Sequence, residues 1–120
     1  MPVIPTFILK RLYVVGSLAN TEDGFRLSIR NTLAPGTIVG LGPITVDESA
    51  YDPAAITVQM GDQEWAAPQI SPENPLRFAM NSTAILKVKG KPLPSGMHRI
   101  SIVTHTREAG ELEIEAQDKL

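Results

Sequence analysis

Hydrophobic and polar residues alternate along several short stretches of the chain. This is the pattern of β-strands, because successive side chains of a strand leave opposite faces. The clearest example is Ala84–Thr106, where two alternating runs flank a connection containing Gly90, Pro92, Pro94 and Gly96. Glycine and proline interrupt a strand and supply turn conformations. The pattern therefore predicts two strands joined by a tight turn.

Further strands are predicted before and after this pair. The run 37–42 carries glycine at positions 40 and 42, which favours a bent or bulged strand, or one that another backbone approaches closely. A helical turn is predicted at Pro53–Ala55, and no long amphipathic helix is evident. The remaining predicted strands are 8–15, 25–31, 56–60, 63–66, 76–80 and 111–116.

Short strands separated by turn signals indicate an all-β protein, and ten prolines and nine glycines agree with many turns. We predict an immunoglobulin-like antiparallel β-sandwich, with a partly closed β-barrel as the alternative. A chain of 120 residues has the size of one ordinary domain. Residues 1–120 are therefore expected to form a single β-sandwich domain.

Charge and composition narrow the class of protein. The net charge is −2, which gives no electrostatic footprint for nucleic acid or an anionic membrane. The chain has no cysteine, and a reducing cytoplasm is the expected location. The start, Met1–Pro5, lacks the pattern of a secretory signal, and no apolar stretch approaches the roughly 20 residues of a membrane span.

The sequence shows no coherent catalytic group or metal site. His98 and His105 are seven positions apart, which on one strand places them on opposite faces, about 23 Å apart. They cannot share a metal ion. His98 is expected to be a strand-entry residue and His105 to lie at the rim of the sheet. The alternative is that one of them points into a partner's site.

A row of carboxylates follows on the last predicted strand, at Glu111, Glu113 and Glu115. Paired carboxylates serve acid–base catalysis or calcium binding. They stand opposite an apolar face, however, as on any solvated edge strand. We interpret them as a solvated face and assign no catalytic residue.

Tryptophan and arginine supply the remaining candidates. Trp65 is the sole tryptophan, and its neighbours are polar. It is either a core residue or an exposed anchor for a partner or a sugar ring. Arg30 and Arg107 lie at strand ends, and Arg107 is placed to pair with an acidic partner. The partner- or substrate-facing candidates are Arg30, Trp65, His98, His105 and Arg107.

Short motifs along the chain resemble those of one family. Leu93–Ile102 has the form L-x-x-G-x-H-x-I-x-I, preceded by Asp23-Gly24-Phe25, Arg30 and Val46-Asp47 and followed by Arg107. Over residues 14–117 this arrangement is similar to the small β subunits of bacterial C-glycoside deglycosidases. The sequence departs from the family pattern at Lys91-Pro92 and across residues 31–36.

The resemblance implies a β-sandwich subunit that binds a larger, metal-dependent barrel subunit. Such pairs cleave the carbon–carbon bond between an oxidised sugar and an aromatic aglycone. The divalent metal and the acid–base groups would belong to the partner, and this chain would need no cofactor. We therefore expect an accessory subunit that is not catalytic alone. The alternative is a stand-alone immunoglobulin-like binding or assembly module that forms homo-oligomers.

Overall fold

A computed structural model describes residues 4–120 of the chain as two antiparallel sheets packed face to face. The segment Met1–Pro5 was interpreted as lacking the pattern of a secretory signal. Its first three residues, Met1–Val3, lie outside the described residues. A short helix α1 (Thr6–Leu9) and a 3₁₀ turn (Lys10–Leu12) precede the strands. The strands are β1 (Ala19–Thr21), β2 (Gly24–Arg30), β3 (Gly36–Val46), β4 (Ser49–Tyr51), β5 (Ile56–Met60), β6 (Gln63–Ala66), β7 (Leu76–Phe78), β8 (Thr83–Lys89), β9 (Met97–Thr106) and β10 (Gly110–Lys119).

The strands divide into two sheets that remain open at their edges. The first sheet, called sheet A, has the order β1-β2-β8-β5-β6, and the second, sheet B, has the order β10-β9-β3-β4, with β7 also pairing with β3. No closed barrel forms within residues 4–120. The prediction of an all-β sandwich is confirmed.

The core lies between the sheets and is built by the predicted alternation. Phe25, Leu27 and Ile29 of β2 are buried, and so are Leu86 of β8 and Ile102 of β9. All of these residues belong to one hydrophobic cluster. The apolar side chains of each strand fall on one face because the side-chain period of a strand is two.

The predicted pairing of the Ala84–Thr106 strands is wrong. Both strands exist, as β8 and β9, but β8 lies in sheet A and β9 lies in sheet B. The connection at residues 90–96 therefore crosses from one sheet to the other, and β9 forms its hairpin with β10 instead. Alternation identifies a strand and its buried face, but it does not identify the strand with which it pairs. Strands of both sheets bury one face and therefore show the same alternation.

The strand predicted at residues 8–15 is also wrong. Residues Thr6–Leu12 form helical turns, and Tyr13 makes only an isolated bridge with Ile29. Leu9 and Leu12 are buried at a spacing of three, which places both on one side of a helical turn. Tertiary packing outweighs the strand propensity of this aliphatic run.

The glycine-rich run was correctly expected to be irregular. The pairing of β3 with β9 shifts register between Ile38 and Gly40 and again between Leu41 and Ile44. Gly42 has a φ of 103°, a conformation that glycine adopts without the steric cost of a side chain. The helical turn at Pro53–Ala55 is confirmed as a 3₁₀ turn.

One buried carboxylate anchors the N-terminal segment to sheet B. Asp118 of β10 accepts hydrogen bonds from the Tyr13 hydroxyl (2.6 Å) and from the backbone N–H groups of Gly16 (3.0 Å) and Leu18 (3.2 Å). Burial acts to raise the pKa of Asp118, but these hydrogen bonds outweigh it and leave the pKa lowered. Burial, and then the bond to Asp118, raise the pKa of Tyr13. The residues before β1 are thereby fixed across the edge of the sandwich.

We expect Tyr13→Phe to lower the free energy of unfolding by about 1.5–3 kcal/mol, the usual value of a hydrogen bond to a charged group. Tyr51→Phe removes the same atom from a ring that packs edge-on against Phe25, with no side-chain hydrogen bond within residues 4–120, and is the matched control. Urea unfolding followed by circular dichroism measures both variants. Equal losses for the two variants would contradict the role given to Asp118.

Candidate functional site

The start of β9 carries a buried histidine with two acceptors. His98 is only 4% exposed. Its Nδ1 lies 2.8 Å from Oδ2 of Asp47, and its Nε2 lies 2.7 Å from the backbone oxygen of Pro94. A carbonyl oxygen and an ionised carboxylate only accept hydrogen bonds, whereas a neutral imidazole has one N–H. Both nitrogens donate at once only if the ring is a cation.

The surroundings of the ring favour that charge. The bond to Asp47, and then the bond to Pro94, raise the pKa of His98 above its ordinary value of 6.5 and outweigh the effect of burial. The same bond from His98, and then the Arg99 backbone N–H, lower the pKa of Asp47. Asp118 is the register partner of His98 on β10, and both residues are buried.

Asp47 is held in a fixed orientation by this pairing. Its φ is 57°, and its backbone N–H donates to the Arg99 carbonyl at 2.7 Å. Its Oδ1 accepts the Arg99 N–H at 3.0 Å while Oδ2 faces His98. The carboxylate nevertheless stays 52% exposed. We call Asp47, Pro94 and His98 the imidazolium clamp.

The clamp joins the turn after β3, the 90–96 connection and β9. The connection is tied down at two further points. Asn20 exchanges two hydrogen bonds with the backbone of Leu93, and Gly96 exchanges two with Leu120. His98 thus bonds to residues of its own chain, and little of its surface is exposed to a partner or substrate. Its contact with a partner or substrate stays a prediction.

His105 lies on the opposite face of β9, as the odd spacing predicts. It is the register partner of Gly40 and Glu111, and its Nδ1 is 3.7 Å from Oε1 of Glu111. A Cβ added to Gly40 would lie 3.1 Å from the imidazole ring, so the glycine leaves room for the ring to lie against β3. His105 lies on the outer face of sheet B, one residue before β9 ends at Thr106, which agrees with the expected position near the rim of the sheet.

The other sequence candidates are dispersed. Arg30 ends β2 with an exposed side chain. Arg107 donates from Nη2 to the backbone oxygen of Pro72 at 3.1 Å, which ties it to the loop before β7. Trp65 lies on the edge strand β6, is partly buried against the core, and lines a groove with Arg77. Whether any of them meets a partner stays a prediction.

The glutamates of β10 occupy the exposed face of its edge strand. Glu111, Glu113 and Glu115 are all exposed, and the Ser101 hydroxyl donates to Glu113 at 2.5 Å. Residues 4–120 contain no group of three or more His, Asp or Glu side chains placed to hold a metal ion. No helix of this part of the chain has the length and apolar character needed to cross a membrane.

A wide groove lies on the outer face of sheet B. It has a volume of about 720 Å³ and runs between helix α1 and strands β3, β9 and β10. Its lining includes Phe7 and Lys10 on one side and Asp47 and Arg99 on the floor. Reasoning from sequence did not find this groove, although Val46-Asp47 was noted, because its residues are spread over the N-terminal helical turns and strands β3, β9 and β10 with the turn after β3.

The charge of His98 predicts a pH dependence of stability. Since its pKa is raised in the folded protein, its contribution is fully present below the unfolded pKa of about 6.5 and is lost as the pH rises through the folded pKa. His98→Gln is expected to lower the free energy of unfolding at pH 6 and to abolish this loss on the alkaline side. Urea unfolding between pH 6 and pH 9 measures it.

His105→Gln is the matched control, because its ring is partly exposed and lies 3.7 Å from its nearest carboxylate oxygen. The control should keep the pH dependence of the unmodified chain. ¹⁵N resonances of His98 should also show both ring nitrogens protonated at neutral pH. A ring with one unprotonated nitrogen would contradict the imidazolium clamp.

Comparison with known proteins confirms the resemblance drawn from the motifs. A 3'-dehydrocarminate deglycosidase beta subunit from Microbacterium sp is 28% identical over 102 residues, which cover 82% of this chain and 76% of that protein. The aligned length includes most of the two-sheet fold rather than one motif.

A family model extends over nearly all of the described residues. The model is described as the N-terminal domain of hydroxymethylglutaryl-CoA reductase, and it matches residues 8–120. The match begins within α1 and includes the imidazolium clamp and every strand. The chain belongs to the family described as hydroxymethylglutaryl-CoA reductase, N-terminal domain.

Proposed function

We propose that this chain is an accessory, non-catalytic subunit of a C-glycoside deglycosidase-like carbon–carbon lyase. The observation that carries the proposal is the similarity to a deglycosidase beta subunit over 82% of this chain and 76% of the relative. A match of this extent covers most of both chains rather than one motif. The name of a beta subunit implies at least one other subunit in the same enzyme.

The family description and the relative's name concern different enzymes. Membership of a family relates the domain, and a shared fold does not transfer an activity. The relative is named as one subunit of an enzyme, so its name is the better guide to how this chain acts. The reductase activity is not carried over.

The buried side chains that could perform acid–base chemistry support an accessory role. His98 and Asp118 are each 4% exposed and are engaged in bonds that hold the fold. A general acid or base must exchange a proton with substrate and so needs access to it. We therefore assign the acid–base groups and a divalent metal to a larger, metal-dependent barrel subunit.

The proposed contact with that subunit centres on the groove lined by Trp65 and Arg77. Tryptophan and arginine are the residue types that most often dominate the binding energy of protein interfaces. Trp65 lies on β6 at the edge of sheet A, and the partly exposed Met60 adds apolar surface to the same groove. An edge strand beside an apolar groove offers both backbone and side-chain contacts.

The test is reconstitution with the large subunit of a C-glycoside deglycosidase. We expect the two chains to co-elute from a sizing column and only the pair to cleave an oxidised C-glycoside. Arg77→Ala and Trp65→Ala should each weaken the association by roughly tenfold or more, as hot-spot residues do. Val15→Ala, which truncates a side chain that is 79% exposed, is the control and should leave association unchanged.

Recovery of this chain alone, as a monomer or homo-oligomer with no effect on the large subunit, would contradict the proposal. That outcome would favour the stand-alone binding or assembly module. Because Trp65 also packs against the core, the folded state of Trp65→Ala is checked by circular dichroism. Arg77 is exposed, so its variant tests the contact without loss of core packing.

A further inference from the structure

The outer groove on sheet B has an ordered polar floor. Thr45, Ser101 and Glu115 are register partners across β3, β9 and β10. The next row is formed by Asp47, Arg99 and Gln117, where Asp47 bonds to the backbone of Arg99, and Arg99 is the register partner of Gln117. Cross-strand neighbours on one face lie roughly 5 Å apart. Six polar side chains therefore form two parallel rows on a nearly flat surface.

One wall of the groove is apolar and rises from the N-terminal segment. Phe7 lines the groove and is 66% exposed, although the hydrophobic effect favours burial of an aromatic ring. Lys10 lines the same wall one turn later. The groove volume of about 720 Å³ falls within the range of small-molecule sites, roughly 300–1,000 Å³.

The positive and negative side chains of the groove lining balance in number. Lys10 and Arg99 carry positive charge, and Asp47 and Glu115 carry negative charge, so these four side chains sum to zero. The lining thus offers cationic donors and anionic acceptors; the Thr45 hydroxyl can both donate and accept, and the Ser101 hydroxyl, which donates to Glu113, can accept. A ligand that matches this lining is neutral and presents several groups that both donate and accept hydrogen bonds.

The floor is oriented before any ligand binds. The imidazolium clamp and the Arg99 N–H hold both oxygens of Asp47, yet each carboxylate oxygen retains accepting capacity towards the groove. The Ser101 hydroxyl is oriented by its bond to Glu113. Side chains fixed in advance lose less conformational entropy on binding.

We infer that this groove binds a pyranose. A sugar ring has hydroxyls that both donate and accept, which suits the mixed floor, and an apolar C–H face, which suits the exposed phenyl ring of Phe7. A flat row of cross-strand side chains matches the edge of a ring better than it matches a long extended chain. The site lies on sheet B and is separate from the Trp65 groove proposed for the larger subunit.

The inference goes beyond the proposed function and is tested on this chain alone. ¹H–¹⁵N spectra of the labelled protein are recorded with the methyl glycosides of glucose, mannose and galactose, up to concentrations on the order of 10 mM, where weak binding is still detected. Shifts are expected at the amides of residues 45–47, 99–101 and 115–117. Sorbitol, which has hydroxyls but no ring face, should produce smaller shifts.

Two variants define the site. Phe7→Ala should weaken binding roughly fivefold by removing the apolar wall. Glu115→Ala should weaken it by a similar factor through loss of a floor acceptor. Val15→Ala is the control, since it truncates another exposed apolar side chain outside the groove lining, and it should leave binding unchanged. All three spectra also report whether the variants fold.

Absence of shifts with all three glycosides, or shifts centred on Trp65 instead, would overturn the inference. So would equal weakening by the control and by Phe7→Ala. The result is distinguishable from failure of the proposed function, because pairing with a large subunit is not part of this measurement. Sugar binding without pairing would leave the groove assigned and the accessory role refuted.

Discussion

The structure depends on a buried histidine at the start of β9, whose two ring nitrogens both lie against acceptors. Burial of an ionised side chain is costly unless its charge is paired and its donors are satisfied. His98 meets both conditions through the Asp47 carboxylate and the Pro94 carbonyl. The bonds join a turn of sheet B to the connection that arrives from sheet A. Since few apolar contacts are available to a proline-rich surface connection, directional bonds fix its path.

The same pairing determines what the outer face of sheet B can do. Asp47 has one side towards His98 and one side towards the groove, so a contact that stabilises the fold also orients a surface acceptor. The left-handed backbone at Asp47 brings its carboxylate back to the Arg99 N–H. Aspartate tolerates this conformation better than most residues. Fold and surface chemistry are therefore coupled at one residue.

The sandwich was predictable because alternation depends only on local spacing. The inward face of β2, the inward face of β10 and the bulged course of β3 all followed from side-chain period or from glycine. The pairing of β8 was not predictable in the same way. A connection rich in proline and glycine is equally compatible with a hairpin and with a crossover, and the difference lies in contacts between β8 and β2 that are about 60 positions apart. The prediction of a strand at residues 8–15 was wrong for a related reason. Leu9 and Leu12 lie in helical turns because they pack against the edge of a sheet, and local spacing does not reveal that contact.

The site residues were harder to predict than the strands because their partners are remote in sequence. Asp47 and His98 are 51 positions apart, and Tyr13 and Asp118 are 105 positions apart, so no local spacing connects them. Sequence reasoning favoured rare and chemically distinctive residues such as Trp65 and His98. The groove is instead built from common residues such as threonine, serine and glutamine, whose only shared property is a register position on sheet B. A surface of this kind acquires specificity from the geometry of three neighbouring strands. It is therefore visible only after the strand order and register are known.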